Sequence, residues 1–498
     1  MYRMVQVQPS DRHLQRILWR DSSEDPVKSF ELTTVTYGTA SAPYLATKCL
    51  STLGKGCQST HLLAAKVIQK DFYVDDMLSG ADSIEEANRL MSEVIEITNS
   101  AGFILRKWNS NCTQLLTKLP KHLRDDRATL ELDSSSSTVK TLGLRWDTNL
   151  DSFYFCFPQW RSNASAITKR SIHSDAACLF DPLGLVGPVV VQAKIIIQQL
   201  WQLKCGWDEP LDETLQTIWK EYKQNLMALE SLSVPRWIGF TNDCSEIQLH
   251  GFCDASEVAY GACLYLRCTA SDGTVSVRLI TSKSRIAPLE NLKAKKKKVT
   301  IPRLELSSAL LLSHLYEKFS SNVTIKSTFF WTDSMIVKHW LASQPSRWQV
   351  FVANRVSEIQ HITKGGAWNH VPGIENPADL ISRGMSPAEL QYQPLWFQGP
   401  RWLAQNQEYW PRPEEAIPES FEPSLLEERP SPAFPAQATP PSEIFGLRST
   451  YSELIRLVAL LIRFKHNSQP SNRQSRRDGR ITHVELEQAT LLLVHLSQ

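Results

Sequence analysis

A chain of 498 residues exceeds what one hydrophobic core ordinarily supports, which excludes a single small domain and sets an expectation of roughly two to four. With 42% hydrophobic residues and 15 Trp the chain has the apolar material to fold, and its net charge of +2 requires any footprint of an anionic partner to be local. The ten cysteines run from Cys49 to Cys268 without a CxxC pair, which speaks against a zinc cluster or a disulfide framework and for reduced, packed thiols.

In chain order, MYRMVQVQPSDRH lacks the apolar core of a signal peptide. The longest apolar runs, LGLVGPVVVQAKIII and LIRLVALLIRF, are interrupted by Pro, Lys or Arg. The expectation is a soluble intracellular protein, in cytoplasm or nucleus, with no membrane span. Arg12, Arg16 and Arg20 fall four apart, one face of a predicted helix, to be read first as solvated and second as a stripe toward template phosphates. Residues 1–150 alternate strand-like and helical runs. The clearest helix starts at Ser83, where Ser83 and Glu86 form a capping box. Ile84, Ala87, Leu90, Met91, Val94 and Thr98 then recur at helical spacing until Gly102 supplies a left-handed stop.

Residues 151–244 read as a mostly helical connector with a turn at FDPLGLVGP and a buried helix in AKIIIQQLWQLKCGW. Residues 245–385 open with alternating strands (IQLHGFCDAS, AYGACLYLRC, VSVRLITS) and continue helix, strand, helix, the order of a mixed α/β domain. Residues 386–410 form its tail and 411–443 a Pro-rich linker. In 444–498, Thr450 with Glu453 and Thr482 with Glu485 start two Leu-rich helices on either side of the basic loop NRQSRRDGR, read as solvated.

Four carboxylates stand at informative places in the mixed domain. Asp254 ends a strand, on the face opposite Leu249 and Gly251; Glu305 follows Pro302 in the first turns of a helix. Asp333 lies between the strand STFFWT and the helix MIVKHWL, and Asp379 opens a helix marked by Pro377. Taken singly, each is more readily a helix cap or a surface charge. Their conjunction in order favours a site that holds two divalent ions about 4 Å apart.

The segments GFCDAS, IPRLELSSALL, FFWTDS and WNHVPGIENPADLISRG resemble, in that order, the ribonuclease H motifs of BEL/Pao-type retrotransposon polyproteins. The resemblance implies that Asp254, Glu305, Asp333 and Asp379 bind two Mg²⁺ ions, that His370 matches the family's mobile histidine, and that the substrate is an RNA–DNA hybrid. The insertion SKSRIAPLENLKAKKKKV departs from the pattern, and its lysines 295–298 are either a backbone-gripping loop or a solvated one. TVTYGTASAPYLATKCL, FYVDDML, LRKWNSN and KTLGLRWD resemble reverse transcriptase palm and thumb motifs of the same group. By that match Asp75, with Asp76, is a metal ligand, Lys107 meets the nucleotide triphosphate, Tyr2 screens its sugar, and Tyr37, Gly38 and Pro43 belong to the loop beside a single-stranded template. The family's first metal-binding aspartate precedes a segment like MYRMVQVQ and does not occur here, so the expectation is an incomplete polymerase without synthesis of its own.

The fold class expected is therefore α/β and α+β multidomain: a partial reverse transcriptase palm and thumb, a helical connector, an RNase H-like mixed sheet with helices, and a helical tail. The connector resembles the region sometimes labelled a Pao-type peptidase. Yet no D-[ST]-G turn occurs, and Asp181 before Pro182 reads as a turn former. VELEQATLLLVHLSQ resembles helices that precede an integrase in the same group, and no integrase signature follows. The competing reading is a degenerate or host-adopted remnant that binds nucleic acid or protein without catalysis.

Overall fold

The computed structural model describes the chain except residues 126–128, 132–143, 156–166, 178, 204, 240–243, 290–298, 322, 324, 412–426, 430–445, 449, 473–474 and 498. The lysine run at 295–298 and most of the Pro-rich stretch 411–443 thus lie outside the described residues. Two units are distinguished, Met1–Glu428 and Arg429–Gln498. No described helix is long and apolar enough to cross a membrane.

The first unit begins with a hairpin of β1 (Arg16–Trp19) and β2 (Lys28–Glu31), antiparallel with Arg16 opposite Glu31. This corrects the expected helix through Arg12, Arg16 and Arg20. Ile17 and Trp19 favour an extended chain, and the backbone finds its partners across the hairpin. Arg12 Nε donates to Val7 O, Arg16 to Glu31 Oε1 at 2.5 Å and Arg20 to Ser23 O, so the three share no face. Tyr2 lies in a 3₁₀ turn closed by Met4 N–H and Val5 N–H on Met1 O and Tyr2 O. Strand-like pairing starts only where Val35 N–H donates to Val5 O.

Three helices follow, α1 (Ala42–Gly56), α2 (Leu62–Lys70) and, after the short hairpin β3 (Phe72–Tyr73) and β4 (Asp76–Met77), α3 (Ile84–Ser100). Leu50, Val67, Ile68, Leu90, Val94 and Ile97 form their core. Ser83 Oγ accepts from Glu86 N–H at 3.1 Å, as the capping pattern predicts, while Glu86 Oε2 receives the N–H of Asp82 instead of that of Ser83. Gly102, at φ +77°, closes the helix end in the left-handed region. Ile84, the first residue of the helix, remains 42% exposed, while Ile97 joins the buried face.

A short α4 (Thr113–Thr117) precedes a four-stranded antiparallel sheet in the order β5 (Thr129–Glu131), β6 (Leu144–Asp147), β7 (Ser152–Phe155), β8 (Ser233–Pro235). Between β7 and β8 run α5 (Lys169–Ala177), α6 (Gly187–Gln202) and α7 (Glu213–Leu226).

The central sheet has five strands: β9 (Cys244–Ala255), β10 (Ala259–Ala270), β11 (Val275–Ile286), β12 (Ser327–Thr332) and β13 (Ala367–His370), in spatial order β11-β10-β9-β12-β13. β9, β10 and β11 form an antiparallel meander, whereas β12 runs parallel to both β9 and β13. Strand alternation decides which layer each residue meets. Leu249 and Cys253 face α8 (Ile301–Ser320), α9 (Met335–Ala342) and α10 (Val350–Ile362), whose Leu312, Trp340 and Val356 share their core. Phe252, Tyr265 and Trp331 face the other layer. There Ile172, Val189, Ile196 and Trp219 of α5–α7 join Ile381 of α11 (Ala378–Arg383), Leu390 of α12 (Pro387–Leu390) and Trp396 of α13 (Pro394–Gln398). Of the connector helices α6 packs on β11 and α11 at one side of this face, within a common core.

The second unit is a pair of helices, Tyr451–Ser468 and His483–Ser497, packed through Leu454, Val458, Ala459, Ala489 and Leu493. Thr482 and Glu485 cap one start reciprocally, and Glu485 also takes the buried Arg463 guanidinium at 2.5 Å.

The turn before α6 fixes the connector against the sheet. Gly184 sits at φ +75°, and a Cβ there would fall 2.1 Å from the backbone oxygen of Ser282 on β11. Gly184→Ala is expected to cost about 2–4 kcal/mol in urea unfolding, combining left-handed strain with a backbone clash. Gly80→Ala, with nothing within 4 Å of its Cβ, is the control expected to change little.

Candidate active site

The site is set by strand register. Cys253 of β9 pairs with Thr332 of β12, and Thr332 in turn with His370 of β13, all running in one direction. The next residues along β9 and β12, Asp254 and Asp333, consequently emerge side by side at the carboxyl ends of adjacent strands. Strands lie about 4.8 Å apart in this direction.

Glu305 descends from the first turns of α8, on one layer. Its Oε2 accepts a hydrogen bond of 2.5 Å from Ser334 Oγ, which also caps α9 by accepting from Val337 N–H. Asp379 comes from the other layer, in the first turn of α11, and is joined by Arg383 one turn later. Asp254 is 5% exposed and accepts from Ser382 Oγ of the same helix. Asn376 is fully buried and anchors that helix. Its amide donates to Cys253 O at 3.1 Å, and its own oxygen receives Ala378 N–H. His370 ends β13 with Nε2 3.2 Å from Asp333 O.

Electrostatics ties the four acids together. Burial pushes Asp333 up to about 7, with Asp254, Glu305 and Asp379 adding to the rise. Glu305 is likewise raised to about 7, by burial first and then by Asp254, against the opposing hydrogen bond from Ser334. Asp254 is raised by burial and by Asp379 while Ser382 works the other way. Like charges gathered in a poorly solvated pocket resist ionising together.

Among the described residues, no three His, Cys, Asp or Glu side chains form a set that holds a metal ion as they stand. The hydrogen bonds explain this arrangement: Ser382, Ser334 and Arg383 draw oxygens of Asp254, Glu305 and Asp379 toward protein donors. The donor set nevertheless suits hard divalent cations, being carboxylate oxygen throughout. Asp333 Oδ1 is buried without a hydrogen-bond partner, as an oxygen reserved for a cation would be. Ser334, Ser382 and Asn376 escaped the sequence reading. The available signals were local: a serine capping the helix after Asp333, one three residues beyond Asp379, and an Asn-Pro start to α11.

The other sequence-predicted residues lie in residues 1–123. Asp75 and Asp76 occupy the β3–β4 turn, with Val74 at φ +58°. Asp76 is raised by burial and by Asp75, with Lys107 opposing, so the structure joins these three electrostatically. Tyr2 packs with Val5, Val35 and Ala42. Tyr37 is 62% exposed with the Arg3 guanidinium 5.9 Å from its ring, Gly38 has φ +91°, and Pro43 lies in the first turn of α1. Phe103 touches both the Tyr2 cluster and the helical core beside the β3–β4 hairpin. In the connector, Asp181 receives the N–H groups of Leu185 and Val186 at 2.8 and 2.9 Å, and Asp175 receives Trp219 Nε1 and Lys223 Nζ. Both acids act on the backbone turn and helix packing around them.

Residues 168–334 match the family model of the Pao retrotransposon-like RNaseH-like domain. Among solved structures, the chain is similar to the foamy viral protease-reverse transcriptase dRH in complex with double-stranded DNA, at 14% identity over 74% of this chain and 54% of that one, with a TM-score of 0.42. The chain thus spans about half the length of that relative. LC11-RNase H1 in complex with an RNA/DNA hybrid matches at 13% identity over 27% of this chain and 93% of that one, TM-score 0.20. RNase H1 from the halophilic archaeon Halobacterium salinarum NRC-1 matches at 12% over 27% and 91%, TM-score 0.17. No curated protein matches the sequence.

The raised carboxyls carry a signed prediction. A carboxyl whose folded pKa lies above its unfolded value holds its proton longer when folded. The associated stability is present at low pH and lost as pH rises from about 4 toward about 7. Without metal, Asp333→Asn should be more stable than the parent by about 1–3 kcal/mol at pH 8 and nearly equal to it at pH 4. Urea unfolding in chelator at both pH values measures the difference. Added Mg²⁺ should stabilise the parent and leave the variant behind.

Proposed function

We propose, from the match of residues 168–334 to the family model of the Pao retrotransposon-like RNaseH-like domain, that this chain hydrolyses the RNA strand of RNA–DNA hybrids with the help of Mg²⁺. The observation that carries the reading is the parallel β9–β12 register, with Asp254 and Asp333 abreast and Glu305 and Asp379 approaching from opposite layers. On this reading Asp254, Glu305, Asp333 and Asp379 hold two ions. When bound, such ions lower the pKa of a water nucleophile and offset charge on the departing oxygen.

The protein's own groups have separable tasks. Asp254 and Asp333, on the rigid sheet, would hold the ions that a reacting phosphate meets. Glu305 and Asp379 complete the negative field from helices, and Ser334, Ser382 and Asn376 position them or the elements that bear them. His370 carries a proton toward the departing oxygen from its place beside Asp333. Recognition of the hybrid rests on duplex shape and 2′-hydroxyls, without base readout. The Asp75–Asp76 turn with Lys107 resembles a polymerase site and takes no part in cleavage.

A second reading, a chain that binds nucleic acid without cutting it, draws on the hydrogen bonds by which Ser334, Ser382 and Arg383 already engage three of the acids. One assay separates the two. With Mg²⁺ and a labelled hybrid, the parent should cut the RNA strand, Asp333→Asn should lose about 10³-fold or more in rate, and Asp75→Asn should match the parent. A parent that shifts the hybrid in a gel and leaves it whole establishes the binding reading.

A further inference from the structure

Two residues before Glu305 on α8, Arg303 donates through Nε and Nη2 to the two carboxylate oxygens of Glu427, at 2.5 and 2.8 Å. The neighbouring acid, Glu428, takes Nε and Nη2 of Arg347, in the turn between α9 and α10, on one oxygen. The backbone joins in: Gln349 N–H donates to Glu427 O at 2.8 Å, and Trp348 bridges to Glu428 in antiparallel fashion. A dipeptide distant in sequence is thus seated across two arginines on the helical layer that carries Glu305.

We propose that Arg303 and Arg347 form a binding site for the phosphates of a nucleic-acid backbone, and that Glu427–Glu428 occupies this site as an intramolecular competitor. The proposal rests on the reading of the chain as one that binds hybrid nucleic acid. The fork of a guanidinium accepts carboxylate and phosphate with the same bidentate geometry, so an acidic dipeptide is a natural occupant of a phosphate site.

Three features separate this from an ordinary structural tether. First, a third positive group stands beside the pair: Arg355 and Arg303 have their guanidinium carbons 3.6 and 4.8 Å from the centroid of the same Phe351 ring. Second, Glu427 sits at φ +51°, a left-handed conformation that a side chain disfavours, so the seated dipeptide carries strain. Third, the Arg347–Glu428 pair is about half exposed on both sides, where ion pairs contribute little. A polyanion gains counterion release that two carboxylates do not. Arg303 and Glu305 share the first turns of α8, about 3 Å apart along its axis and about 200° apart around it, so the two side chains leave different faces of that helix.

The test is binding by the full chain in chelator, so that cutting does not interfere, with a fluorescent RNA–DNA hybrid at low and moderate salt. The double variant Glu427→Gln/Glu428→Gln is expected to bind about five- to tenfold tighter, with a steeper salt dependence. Adding Arg303→Gln and Arg347→Gln should remove that gain. Glu85→Gln/Glu96→Gln, on exposed positions of α3, controls for net charge and should leave affinity near the parent's. If the double variant melts early, the single changes Glu427→Gln and Glu428→Gln decide, each expected to give part of the gain. Unchanged or weaker binding by well-folded variants overturns the proposal, as does an equal gain in the α3 control. Cleavage by the parent with no effect of the glutamates leaves the nuclease reading standing and removes the competitor. Tighter binding without cleavage does the reverse.

Discussion

Placing Asp254 and Asp333 at the ends of neighbouring parallel strands costs free energy, and much of the surrounding structure offsets that cost. Parallel pairing forces both carboxylates to emerge at the same end of the sheet. Burial then weakens the solvation that would keep both charged. Glu305 adds a third negative group from α8, and both it and Asp333 shift up to about 7 as a result. The nearby hydroxyls of Ser334 and Ser382 donate to the acids rather than accept from them, which is the polarity that a crowded anionic pocket requires. A region arranged in this way is destabilising in isolation and favourable around a cation.

The two layers that flank the sheet reach the acids by different means. α8 is twenty residues long and enters with Pro302 in its first turn, so Glu305 is held by a rigid helix buried through Leu306, Ala309 and Leu312. α11 spans only six residues and has little helical stability of its own. Asn376, which ties its start to β9, and Ile381, buried in the common core, supply what its length does not. Asp379 is therefore positioned by tertiary contacts where Glu305 is positioned by secondary structure.

That difference explains what the sequence made legible. Periods of two in IQLHGFCD and GACLYLR mark β9 and β10, Pro302 marks α8, and the apolar run before Asp333 marks β12. These signals are local, and the structure follows them. Arg12, Arg16 and Arg20 also satisfied a local pattern, but a hairpin partner at Lys28–Glu31 decided their backbone. Tyr2 took a 3₁₀ turn because pairing begins at Val5. Ser334, Ser382 and Asn376 are ordinary turn and cap residues in one dimension, and their bonds to distant carboxylates and strands exist only after folding. The seating of Glu427 and Glu428 on Arg303 and Arg347 spans 124 and 81 residues, a distance at which no periodicity carries information.

The connector owns no separate interior. Ile172, Val189, Ile196 and Trp219 share one continuous packing with Phe252, Tyr265 and Trp331 of the central sheet. A cut at residue 245 would strip α6 from β11 and α11 and bare apolar surface there, while Trp396, Trp402 and Trp410 would stay on Phe252, Tyr265 and Trp331. The unit that folds around this sheet is longer than the stretch that bears its acids.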